Sequence, residues 1–171
     1  QEYTRADWFY SGSVLYAVKD YKGAIESFNN MGAKTDSIGQ VANYHMAYSY
    51  IQTKNKVAAM SAFRESSQLS FDENISEDAF FNWAKLAFDL NSDVSGFNEY
   101  LSKYSSAVKS EQIYSYMAVG ALYKLQCEIL LTGSCLAENS KVSRFVNLFE
   151  NGVARLGADE MLIIGLELFL F

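Results

Sequence analysis

Few side chains in this sequence are of the types that do chemistry, and their spacing decides what is open to them. His45 is the one histidine. A nucleophile–base arrangement or a paired-imidazole metal site needs further partners at set distances, and no suitable spacing surrounds it. It reads as a packed or half-exposed histidine. Cys127 and Cys135 stand eight residues apart, with neither a CxxC arrangement nor a neighbouring histidine, which argues against a metal site. They could pair in an oxidising compartment or stand as two ordinary buried thiols. Asp72-Glu73 and Glu77-Asp78 gather carboxylates near one junction and could hold a cation, but acidic residues at a helix start also complement the helix dipole. Asn74-Ile75-Ser76 fits the glycosylation acceptor pattern, while the ten glycines are scattered and form no phosphate-cradling loop. No catalytic set emerges, so we expect no enzyme, no cofactor and no metal site.

Composition narrows the partners. The chain has 171 residues, enough for one domain with a proper core, and half of them are hydrophobic, with 12 Phe and 12 Tyr. Its net charge of −6 and only 14 basic residues argue against nucleic acid, which needs clustered Lys and Arg. No segment reaches the roughly 18 apolar residues of a membrane span. The apolar stretch Met161 to Phe171 contains Glu167 and reads as a buried helix or, alternatively, an exposed docking face through which the chain could self-associate. Proline is absent, which long helices with short turns tolerate. A start at Gln1 suggests that a signal peptide or other flanking sequence has been removed.

The elements that would position these side chains announce themselves by repetition. A bulky residue, a large-small pair, then Ala and Phe recur as Trp8, Ser11-Gly12, Leu15, Ala24, Phe28 and as Asn43, Met46-Ala47, Tyr50, Ala59, Phe63. The pattern returns as Phe80, Trp83-Ala84 and Ala87, with Phe97 closing it. Gly12, Ala47 and Ala84 lie 35 and 37 residues apart, a period that marks helical hairpins packed in series. The small residues sit where paired helices approach closely. We therefore predict an all-α domain over 1–171, with units at about 5–36, 40–72, 77–105 and 111–139 and divergent C-terminal helices over 140–171. Helices are expected over 6–18, 24–31, 38–51, 57–69, 79–90, 94–104 and 111–125. Ala118 follows Ala84 by 34 and opens the fourth unit. The third turn looks short: Gly12–Ala24 and Ala47–Ala59 are each 12 apart, but Ala84–Asp93 only nine.

This pattern resembles the tetratricopeptide repeat, which the first unit matches closely at Trp8, Gly12, Ala24 and Phe28. The segment 78–86 is also similar to long repeat proteins of Bacteroidetes-type bacteria that carry amino-terminal signal sequences. The departures are Asn43 in place of a large side chain, Asp93 in place of Ala, and no proline at unit ends. The resemblance implies a right-handed superhelical stack of antiparallel hairpins, a TPR-like α-solenoid, whose first helices line a concave face. Helical phase then nominates Phe9, Ser13 and Tyr16, then Tyr44, Tyr48 and Ile51, then Phe81, Lys85 and Phe88 as partner-binding. The competing reading packs these rings between units. The implied function is a protein–protein interaction scaffold, periplasmic or envelope-associated, for a peptide or protein partner. A self-assembling envelope component and the ligand-capture subunit of an extracytoplasmic uptake system are the alternatives.

Overall fold

The computed structural model describes residues 3–91, 93–104, 106, 108–118 and 120, and every regular element among them is a helix. The chain divides into two compact units, Gln1–Tyr104 and Ser105–Phe171. The first holds α1 (Arg5–Ala17), α2 (Tyr21–Asn30), α3 (Ser37–Gln52), α4 (Lys56–Ser67), α5 (Glu73–Asn91) and α6 (Ser95–Lys103). In the second, a helix runs over 108–118, where Ala118 is buried. Cys127, Cys135 and the expected helices over 140–171 lie outside the described residues.

Local chemistry starts each helix. Thr4 and Asp7 form a reciprocal capping box on α1: Asp7 N donates to Thr4 Oγ1 at 3.3 Å and Thr4 N to Asp7 Oδ2 at 2.8 Å. Asp20 and Asn55 then do the same work 35 residues apart. Asp20 accepts from Gly23 N at 3.1 Å and Asn55 from Ala58 N at 3.1 Å, and each follows a lysine in left-handed backbone, Lys19 at φ 66° and Lys54 at φ 64°. The polar stretch 19–23, expected as a break, therefore contains the start of α2, because the Asp20 side chain satisfies the first amides. The sequence places the third unit's first helix at 79, but it begins six residues earlier. Asp72 Oδ1 accepts from Asn74 N at 2.9 Å and Ile75 N at 3.2 Å, so the supposed junction already belongs to α5.

Each hairpin has a ring contact at equivalent positions. Phe9 meets Phe28 at 6.4 Å between ring centroids, Tyr44 meets Phe63 at 6.2 Å, and Phe81 meets Tyr100 at 5.7 Å. This corrects the register of the third unit. Its closing aromatic is Tyr100, fully buried, and not Phe97, which is also buried but packs on Phe88 at 5.3 Å. The small position is Gly96, twelve residues after Ala84 as in the other units, and a Cβ there would come within 3.0 Å of Ala84 and Trp83. Asp93 is exposed instead and accepts from Ser95 N at 2.9 Å. Ala24, Phe28, Ala47, Ala59, Phe63 and Ala84 are all buried, with Trp8 and Trp83 half-buried beside them. Asn43, at the bulky position of the second hairpin, is buried with its Oδ1 lacking a hydrogen-bond partner.

Two side chains 35 residues apart fasten successive hairpins. Arg5 forks onto Asp36, the cap of α3, at 2.8 and 2.6 Å, and its Nε donates to Ala33 O at 3.0 Å. Gln40, 1 % exposed, holds the next linker: its Nε2 donates to Leu69 O at 2.6 Å and Asp72 O at 3.1 Å, while Oε1 accepts from Asp72 N at 2.9 Å.

Gly12 gives the cleanest test of hairpin packing. A Cβ there would lie 2.6 Å from the Phe28 ring, so Gly12→Ala is expected to cost about 1–3 kcal/mol as overpacking. Phe28→Leu should cost less in the Gly12→Ala background than alone, as measured by urea unfolding.

Candidate functional site

The first helix of each hairpin carries the nominated side chains, and the structure brings three of them, Tyr16, Tyr44 and Tyr48, to the joints between hairpins. Tyr16 of α1 stacks flat on His45 of α3, with centroids 4.5 Å apart and planes 9° off parallel. Tyr44 and Tyr48 lie edge-to-face at 5.0 Å, and both hydroxyls donate to Asp78 Oδ2 of α5, at 2.7 and 3.0 Å. Asn82, one turn beyond Asp78, donates to the same oxygen at 2.9 Å and to Tyr48 Oη at 3.2 Å. Three side chains from two hairpins thus share the Asp78 carboxylate, and all four residues are half-exposed.

The other nominations divide. Ser13 turns back on its own helix, donating to Phe9 O at 2.9 Å, and Phe9 packs on Phe28. Ile51 packs half-buried against the core, while Lys85 and Phe88 are half-exposed on α5. Phe81 is not a surface residue: at 8 % exposure its ring is taken up by Tyr100, as Tyr44 is by Phe63. The rings form packing contacts first, a consequence of aromatic area packing best on other aromatic area.

Sequence reasoning assigned Asp78 to a helix start and passed over Asn82. With α5 beginning at Glu73, Asp78 stands inside the helix and faces the preceding hairpin. The available signal was spacing: Tyr44–Asp78 and Tyr48–Asn82 are both 34 residues apart, one repeat, and Asp78–Asn82 is one helical turn.

The electrostatics follow from burial. Removal from water pushes the Tyr44 phenol up, with the Asp78 bond adding to it, and burial likewise raises Tyr48. These hydroxyls remain donors at ordinary pH. Burial lowers His45 below the usual imidazole value, and its Nδ1 is buried without a hydrogen-bond partner. Among the described residues no three His, Cys, Asp or Glu side chains are grouped to hold a metal, and no helix is long and apolar enough to cross a membrane. Comparison with family models, curated proteins and solved structures finds no match to this chain.

His45 yields a pH test without interference, being the sole histidine. A folded-state value below the ordinary 6.5 means that the unfolded chain binds the proton more tightly. The contribution is complete above that ordinary value and is lost as pH falls through it. The melting temperature is therefore expected to drop between about pH 7 and about pH 5. In His45→Phe, which keeps a ring on Tyr16, that drop should shrink.

Proposed function

We propose that the chain is a protein–protein interaction scaffold that binds a peptide or protein partner on the face made by α1, α3 and α5. In the tetratricopeptide-like arrangement this is the concave side of a right-handed stack. The observation that carries the reading is the Tyr44–Tyr48–Asp78–Asn82 cluster, polar and aromatic at once, half-exposed and already fixed by its own hydrogen bonds. Side chains held in place before binding lose little entropy on contact, and tyrosine offers both an apolar edge and a hydrogen-bonding oxygen. Ser13, Ile51 and Lys85 extend the same face. Lys85 is the sole cation among the nominated residues, so the face suits apolar and hydrogen-bonding anchors better than a partner's terminal carboxylate. The test is capture from the native cell extract with the full chain, compared with Tyr48→Phe and Lys85→Glu variants. The expected result is one partner whose affinity for purified chain falls about tenfold, about 1.4 kcal/mol, in the variants while their helical circular dichroism is unchanged. An unchanged affinity in both variants removes this face from the reading.

A structural, self-assembling role is the second reading, and one observation favours it. Tyr10 and Val14 of α1 are 66 % and 61 % exposed, whereas their equivalents one repeat on are covered: His45 lies under Tyr16 and Ser49 is fully buried. That stripe has the position of an interface between hairpins and lacks a hairpin among the described residues. Tyr10→Glu should abolish any concentration-dependent rise in mass seen by light scattering. A mass independent of concentration in the unaltered chain removes this reading.

A further inference from the structure

A cleft of about 520 Å³ lies where α4, α5 and α6 meet, within the range of about 300–1,000 Å³ that ligand sites occupy. It uses different side chains from the cluster described above. Glu73, Glu77 and Phe80 line one wall, spaced four and three residues along α5 and hence on one helical face. From Glu73 to Phe80 that face runs about 10 Å at 1.5 Å per residue.

The two ends differ in charge. At the Phe80 end, the Arg64 guanidinium and the Lys103 ammonium each lie 5.4 Å from the centre of the Phe80 ring. Arg64 also stacks on Trp83 at 3.9 Å, and Lys103 sits 5.0 Å from the Tyr104 ring. Stacking spends the faces of the guanidinium and leaves its N–H edge to other groups. Its ion pair with Glu99 is 3.9 Å long, beyond hydrogen-bond reach, and among the described residues neither cation donates a hydrogen bond. At the far end Glu73 is exposed in the first turn of α5, and Glu77 accepts from the Tyr100 hydroxyl. A polyanion would meet three carboxylates, Glu73, Glu77 and Glu99, and is disfavoured. One acidic group at the Arg64–Lys103 end and one basic group at the Glu73–Glu77 end would complement the cleft.

We propose that this cleft binds an extended peptide segment with one basic and one acidic residue three positions apart. Three extended residues span about 10 Å, which matches the distance along α5. The basic side chain faces Glu73 and Glu77; the carboxylate takes the N–H edge of Arg64 and the Lys103 ammonium, displacing the long contact from Glu99.

The test is an NMR titration of the full chain with the capped octapeptides GGKAAEGG and GGEAAKGG, and with GGKEAAGG as the mis-spaced control. At least one of the first two should shift the Arg64 side-chain and Phe80 ring signals and bind about tenfold more tightly than the control. Lys103→Glu and Glu73→Lys, both at exposed positions, should each weaken binding about tenfold, and the double exchange, which leaves Arg64 and Glu77 each beside an opposite charge, should remove the preference for the correctly spaced peptides. Binding that ignores spacing, or that survives both charge reversals, overturns the proposal. So does the absence of shifts with either correctly spaced peptide.

Discussion

The packing of successive hairpins depends on how the linker between them is gripped by the first helix of the hairpin before it. Two short helices joined by a turn bury one side and leave the other apolar, and a neighbour must be placed over it within ångströms. Arg5 and Gln40 fix that placement by reaching from the first turn of α1 or α3 to the linker that follows the same hairpin. One grip is charged and open to water, the other neutral and buried. Burial makes the second the stricter of the two, since losing Gln40 would take the acceptor from the Asp72 amide and leave the Leu69 and Asp72 carbonyls to Ser76 alone. Ser66 and Ser76 join this knot, Ser66 donating to Gln40 O at 3.0 Å and Ser76 Oγ to Asp72 O at 2.9 Å.

The hairpins were legible because packing forces repetition. Gly12, Ala47 and Ala84 cannot grow without pushing a helix away, and large aromatic residues must fill the space opposite. The register of the third hairpin was misread because Phe97 and Tyr100 are both aromatic and both buried, and composition alone does not say which one meets Phe81. Gly96, twelve residues after Ala84, held the answer. Gln40 was illegible for a different reason: a glutamine that spends every hydrogen-bonding atom indoors has the same letter as one in solvent. The candidate site was half legible. Helical phase located Tyr44 and Tyr48, but the acceptor that organises them depends on where α5 begins, and the cap at Asp72 sets that.

The same economy links fold and proposed function. A phenol that donates to Asp78 helps join two hairpins and, by the same bond, holds its ring edge still for a partner. Binding groups that also hold the scaffold are costly to alter, while a side chain such as Ser13, whose hydroxyl turns back on its own helix, is not part of a hairpin's ring closure. Variation in what such a face recognises would therefore come at its periphery, with the tyrosine–aspartate centre kept.

Asn43 has a mechanical consequence. It fills the place that Trp8 and Phe80 hold in the flanking hairpins, and its Oδ1 is buried without a hydrogen-bond partner, a local cost inside the middle pair. Arrays of repeats commonly lose their outermost members first, since these have one neighbour each. Of the three hairpins described in the first unit, the one with two neighbours carries this buried unpaired oxygen. Opening that hairpin takes support from both of its neighbours at once.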